Sequence, residues 1–208
     1  MAGLFISFEG IDGVGKSTQA DLLEAFLTER GQTVVRTFEP GGTALGKSIR
    51  ELLLHGEHVD ARAEALLYAA DRAHHVATKI RPALDSGQVV ITDRYLDSSV
   101  AYQGAGRVLG AAEVRDLSLW ATRNLLPEIT VLLDLDAAAA VARRNKTGDQ
   151  PDRLEREKVD FFEKVRASYL ELAVNEPERF LVIDATKQVA EIQEIIREKV
   201  ASLLEARG

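Results

Sequence analysis

The stretch Leu4-Phe5-Ile6-Ser7-Phe8-Glu9-Gly10-Ile11-Asp12-Gly13-Val14-Gly15-Lys16-Ser17-Thr18 runs from a short apolar segment through a glycine-rich turn into the start of an amphipathic one. Residues 10–17 match the phosphate-binding pattern G-x-x-x-x-G-K-[ST] in full. The flanks fit as well. Residues 4–8 read as a buried strand, and in 17–30 the apolar Leu22, Leu23, Phe26 and Leu27 recur at helical spacing. Glycines at these places let backbone N–H groups curl around an anion without Cβ clashes, and the positive end of the following helix dipole points at it. Lys16 is then expected to reach the β- and γ-phosphates of a nucleotide, with the Ser17 hydroxyl as a ligand for Mg²⁺. A glycine-rich turn with an incidental lysine would explain the glycines but not the whole pattern in this setting.

Working outward, residues 33–37, 89–92, 129–133 and 180–183 are further short runs rich in β-branched residues. Their near-continuous apolar character suits strands covered on both faces, as in a parallel sheet. Segments 64–79, 97–107, 111–123, 137–144 and 153–175 read as helices, and a last one carries Val189, Ile192, Ile195, Ile196, Val200 and Leu203 at helical spacing. Strands alternating with helices indicate an α/β fold with right-handed crossovers: a P-loop NTPase-type parallel five-stranded sheet with helices on both faces. With 208 residues, 46% of them hydrophobic, the chain suits one domain over 1–208. Residues 145–151 collect Asn, Gly, Asp and Pro and read as a surface loop within that domain.

Composition narrows the partners. The charge is 26 − 33 = −7, which argues against coating nucleic acid or a membrane surface. There are no cysteines, so thiolate metal sites and cysteine nucleophiles are excluded. No apolar run approaches the roughly 20 residues that span a bilayer, and residues 1–8 show no basic leader, so a cytoplasmic address is expected. A GTPase should show D-x-x-G and N-K-x-D. Here Asp93-Arg94-Tyr95-Leu96 lacks the glycine, and Asn145-Lys146-Thr147-Gly148 lacks the final aspartate. The pairs His55/His58 and His74/His75 have no surrounding ligand set and read as surface or packing residues.

Beyond the cradle, the runs FEGIDGVGKSTQ (8–19), EPGGT (39–43), IRELLL (49–54), DRY (93–95), SSVAYQG (98–104), PDRLE (151–155) and YLELA (169–173) follow in order. By these the chain resembles the thymidylate kinases over essentially its whole length. The resemblance implies transfer of the ATP γ-phosphate to dTMP, with Mg²⁺, by a homodimer with a short helical lid at about 143–155. It implies that Arg94 and Arg50 hold the acceptor phosphate, with Glu39 and Pro40 beside them. Tyr68 would stack on the thymine and Arg72 would bond its edge. Ser99 and Gln103 would line the base pocket, while Tyr102 would fill the volume of a ribose 2′-hydroxyl. By residue type alone, Tyr68 and Tyr102 fit helix packing better than a ligand role, and Arg72 fits an exposed pair with Asp71.

Two departures shape the expected mechanism. Phe38 stands where many members carry arginine, and Gly13 stands where one branch carries a catalytic arginine. The other branch takes that charge from its lid, which here holds Arg143, Arg144, Lys146 and Arg153; Arg143 would also stack on adenine. The attacking phosphate oxygen is already largely anionic, since its second pKa is about 6, so no general base is needed. Catalysis then rests on Lys16, Arg94, Arg144 and Arg153, with Asp12 and Asp93 as carboxylates near the metal. The pairs Arg153/Glu157 and Arg156/Asp160 would be i, i+4 pairs on a helix face. Another nucleoside monophosphate or deoxynucleoside kinase of the same architecture shares most of these features.

Overall fold

A computed structural model of the chain describes residues 3–55, 57–145 and 152–207. All five expected strands form: β1 (Phe5–Glu9), β2 (Val34–Phe38), β3 (Val89–Asp93), β4 (Ile129–Asp134) and β5 (Phe180–Asp184). They make one wholly parallel sheet in the order β2-β3-β1-β4-β5. Phe5, Ile6, Phe8, Val90, Ile91 and Val131 are wholly buried, as strands covered on both faces require. The register brings Phe38, Asp93 and Phe8 into one row across β2, β3 and β1. Three strand ends therefore open side by side into a single crevice, where ligands of such sheets bind.

The helices are α1 (Lys16–Glu29), α2 (Ala44–Leu54), α3 (Ala61–His75), α4 (Arg81–Asp85), α5 (Leu96–Ser99), α6 (Ala111–Thr122), α7 (Ala137–Arg144), α8 (Val159–Asn175) and α9 (Val189–Glu205). A π-helical turn, Val76–Ile80, links α3 to α4, and another, Val100–Gly106, continues α5. Such turns are frequent at functional sites, and the second carries Tyr102 and Gln103.

Four elements differ from expectation. Helices α2 and α4 fall outside the expected helices, α2 on the stretch that holds the 49–54 motif and α4 just past the segment 64–79. Thr43 starts α2 by accepting a hydrogen bond from Gly46 N at 3.0 Å. Helix α3 begins three residues before 64, at Ala61, because the Asp60 carboxylate accepts from Arg62 N at 2.9 Å and caps the first turn. Helix α8 begins at Val159 rather than 153. The Asp152 carboxylate accepts from Leu154 N and Glu155 N, both at 2.8 Å, as a cap would, but the turns at 153–156 do not continue into a helix. The expected i, i+4 pairs at 153–160 therefore do not form on a helix. Glu157 bonds Arg107 at 2.6 Å, and Arg153 bonds Glu64. Residues 146–151 of the expected loop at 145–151, Lys146 among them, lie outside the described residues.

The main core lies on both sides of the sheet. A smaller cluster of Ile49, Leu53, Leu54, Tyr68 and Leu154 ties α2 and α3 to the turns after residue 152. Capping sets where α3 enters this cluster. Asp60→Ala is expected to cost about 1 kcal/mol of stability, read from the urea midpoint with an unchanged m-value.

Candidate active site

The cradle begins where β1 ends. Gly10, Gly13 and Gly15 adopt φ of 131°, 88° and 98°, which side chains with a Cβ rarely tolerate. Ile11 and Val14 turn into the core and anchor the loop. Gly15 offers α1 no side-chain cap, so the first amides of that helix remain available to an anion. The buried Lys16 ammonium donates to the carbonyls of Gly10 at 3.1 Å and Ile11 at 3.0 Å. Burial and the charge of Arg94 push Lys16 down, against the pull of Asp12, Asp93 and Glu9. Asp12, Gly13, Gly15, Lys16, Ser17 and Thr18 line one cleft. In it the Ser17 hydroxyl donates to Asp93 Oδ2 at 2.9 Å, which sets two hard oxygen donors side by side.

Arg94 follows β3 with φ of 68°, its N–H tied to the carbonyl of Phe8 at 2.9 Å. Its guanidinium bonds Asp12 Oδ1 at 2.6 Å, Tyr102 OH at 3.2 Å, Ser98 Oγ at 3.1 Å and Tyr169 OH at 3.4 Å. Burial pushes the Asp12 carboxyl up, but Arg94 and Lys16 outweigh it and hold Asp12 well below the usual range. Beneath this group, Glu9 is fully buried. It accepts from Tyr95 N at 2.7 Å, Ser98 Oγ at 2.6 Å and Tyr169 OH at 2.9 Å.

The expected acceptor residues come together. Glu39, Pro40, Arg50, Tyr68, Arg72, Arg94, Ser99, Tyr102 and Gln103 all line one cavity. Arg72 is buried, not an exposed partner of Asp71. It bonds Glu39 at 2.7 Å, Ser99 at 3.1 Å, Ser118 at 3.2 Å and the Tyr95 carbonyl at 3.2 Å. His75, expected as surface or packing, is a buried linker between Glu39 at 2.9 Å and Thr37 at 2.7 Å. Pro40 follows a cis peptide bond, and its carbonyl accepts from Arg50 at 2.9 Å. Phe38 is 43% exposed with the Arg50 guanidinium 5.9 Å from its ring centre, so an aromatic face occupies the place of a second cation. Asp12, Glu39, Arg50, Arg94 and Glu155 line both the cleft and this cavity, so the two open onto a shared wall.

The sequence model for thymidylate kinase matches residues 8–196. The chain belongs to the thymidylate kinase family. Among its relatives, a thymidylate kinase of Clavibacter michiganensis subsp. michiganensis is 60% identical, the match covering 99% of this chain and 98% of that protein. One from Leifsonia xyli subsp. xyli is 63% identical over 94% and 93% of the two chains. One from Desulforudis audaxviator is 49% identical over 100% and 94%.

Within this family frame, the residues expected on a lid separate. Arg144 lines the cradle cleft. A Cβ on Gly13 would stand 2.6 Å from the Ala140 carbonyl and 3.1 Å from Arg144 N, so the end of α7 rests where a side chain at 13 would project. Arg143 donates to the Ala185 carbonyl at 2.8 Å, beside the end of β5. Arg153 lines neither hollow. It bonds Glu64 and donates to the Leu53 carbonyl at 2.8 Å.

Sequence reasoning passed over Glu9, Glu64, Ser98, Tyr169, Asp152 and Glu155. For Glu9 a signal existed, since a carboxylate closing an otherwise apolar buried strand needs donors to satisfy it. Burial, with the Asp97 charge, pushes Glu9 up to about 7 from 4.5, although Ser98, Arg94 and Tyr169 oppose the rise. Between these values the folded protein holds a proton that the unfolded chain has lost, so stability falls as pH rises through the window. Glu9→Gln is expected to flatten that decline between about pH 5 and 7, measured by urea unfolding at stepped pH.

Proposed function

We propose that the protein transfers the γ-phosphoryl group of ATP to the 5′-phosphate of dTMP, giving dTDP and ADP. The carrying observation is the shared wall. Lys16 and the α1 amides face one hollow, the nine acceptor residues face the other, and Arg50 and Arg94 border both. Two phosphates bound from opposite sides would meet at those arginines, and alignment is most of what phosphoryl transfer requires.

In this reading Arg94 is pre-aimed by Asp12 and Tyr102, so it reorganises little as charge develops. Ser17 and Asp93 suit Mg²⁺, whose remaining positions water and phosphate oxygens would fill. The bound ion supplies charge neutralisation on the transferring group. Asp12, committed to Arg94, Tyr102 and Lys16, serves to hold Arg94 rather than as a metal ligand. Arg144 takes the role left by Gly13, and Arg143 borders adenine. Arg153 anchors the segment at 152–158 and leaves the transferring charge to Arg144. Tyr102 fills the space beside the sugar, its hydroxyl tied to Asp12 at 3.3 Å.

The reading extends to one kinase domain over 1–208 with a lid at about 143–155, acting in the cytoplasm, where ATP and Mg²⁺ are abundant. Among the described residues no helix is long and apolar enough to cross a membrane. Exposed Leu66 on α3 and Trp120 on α6 support a homodimer.

A coupled assay across the common nucleoside monophosphates tests the reaction. ADP release should require ATP, Mg²⁺ and dTMP together, and a much better rate with AMP, GMP or CMP would overturn the substrate. Arg144→Ala should lower kcat by about 100-fold, short of the 10³–10⁵ range of dedicated arginine fingers because Lys16 and Mg²⁺ share the charge. The dTMP KM should change little, and Arg153→Ala should leave kcat within about threefold. Steady-state kinetics on both variants decides the assignment, and equal kcat losses would refute it.

A further inference from the structure

Glu64 is a fully buried carboxylate on α3 that neither the cradle nor the phosphate arginines use. Three side chains from three places converge on it. Gln103 Nε2 donates to Oε1 at 2.9 Å, Arg107 Nε donates to the same oxygen at 3.4 Å, and Arg153 Nη2 donates to Oε2. Arg107 also pairs with Glu157 at 2.6 Å, so the cluster links the π turn after α5 to the turns that follow residue 152.

The consequence lies in the Gln103 amide. A carboxylate between two guanidiniums accepts hydrogen bonds, so the amide must turn its nitrogen toward Glu64. The reverse orientation would set two acceptors 2.9 Å apart. The amide oxygen then points away from Glu64. Gln103 lines the acceptor cavity, and among the described residues no donor is recorded on that oxygen. Arg72 lines the same cavity. Its four bonds, one from Nε, one from Nη1 and two from Nη2, leave one of its five N–H groups uncommitted.

We propose that Glu64 is a positioning residue for base specificity: by fixing the Gln103 amide it makes the cavity present an acceptor to the base. This rests on the kinase reading above and deepens it. A base with a ring N–H beside a carbonyl, as in thymine, meets that acceptor with a donor. Cytosine brings an acceptor ring nitrogen and an exocyclic amine, which oppose both Gln103 Oε1 and the Arg72 donor. A site built to bond one pattern rejects the other because its own polar groups go unpaired. Through Arg153 the same carboxylate fastens the 152–158 turns, so base readout and cover of the cavity share one anchor.

The test measures kcat and KM for dTMP and dCMP in wild type, Glu64→Gln, Gln103→Ala and the double variant, each checked for folding by near-UV circular dichroism. A neutral amide at 64 lets Gln103 flip. The dTMP:dCMP ratio of kcat/KM should fall about tenfold or more, mostly through a raised dTMP KM. Adding Glu64→Gln to Gln103→Ala should change the ratio no further, and Glu64→Asp should keep more of it than Glu64→Gln. A folded Glu64→Gln with the wild-type ratio overturns the proposal, as do losses that multiply in the double variant. If Glu64→Gln does not fold, Gln103→Ala decides alone, and an unchanged ratio there overturns it too. Wild type that fails to use dTMP would instead sink the kinase reading.

Discussion

The ion pair between Asp12 and Arg94, 2.6 Å long, is the constraint around which the site is organised. One partner belongs to the loop after β1 and the other to the residue after β3, and these strands are hydrogen-bonded neighbours. The pair therefore sets the angle at which the cradle meets the acceptor side. Arg94 holds φ of 68°, a conformation that costs a non-glycine residue on the order of 1 kcal/mol or more. That cost is offset by the Phe8 carbonyl bonded to its N–H and by four side-chain partners of its guanidinium. In the proposed reading, an arginine so held would present charge to incoming phosphates without first having to find its place.

Such preorganisation buries ionisable groups that an apolar core would exclude. Glu9 lies under Arg94, Asp97 is gripped at two points by Arg179 at 2.6 and 2.8 Å, and Glu39 sits between Arg72 and His75. Each is wholly or almost wholly buried, and each is bonded by several donors, the condition under which a buried charge can be tolerated. The Asp97–Arg179 pair lies away from both hollows and fastens α5 to the chain just before β5. Glu9 and Glu39 differ, since they hold the residues that line the hollows. Asp71 is less complete. One oxygen accepts from Gly41 N at 3.4 Å and the other has no partner, and burial with the Glu39 charge pushes its carboxyl up to about 6.

The sheet and cradle were legible in the sequence because both are local. Strand runs such as 89–92 are short and apolar, and the cradle pattern fits within eight residues. Arg94 was legible for a related reason, as a charge directly after a buried strand can only emerge at the crevice. What was not legible depends on contacts between distant segments. Arg153 was expected as a lid cation by the resemblance and by its place after residues 145–151, and its partner Glu64 lies 89 residues away. The helical reading of 153–158 failed although Asp152 bonds Leu154 N and Glu155 N as a helix cap would, since Arg153 and Glu157 are bonded to the distant Glu64 and Arg107. Burial of Arg72 likewise follows from Ser118 and Glu39, which no window around residue 72 contains.

Arg144 and Arg153 then divide according to what each can reach. Arg144 is carried by the last turn of α7, which leans on Gly13 because that residue has no side chain to hold it off. Absence at position 13 is thus a structural condition for presence at position 144, since a Cβ there would strike the Ala140 carbonyl. Arg153 lies beside the small cluster around Leu54 and Leu154, which ties the chain there to α2 and α3. Its charge is spent on Glu64, where it closes the acceptor side. Glu155, two residues on, lines both hollows, and burial raises its carboxyl despite the hydrogen bond from Asp152 N. A carboxylate there would repel the phosphates the arginines attract. The turns at 152–158 must therefore keep Glu155 bonded to Asp152, or shift it, when both nucleotides are bound.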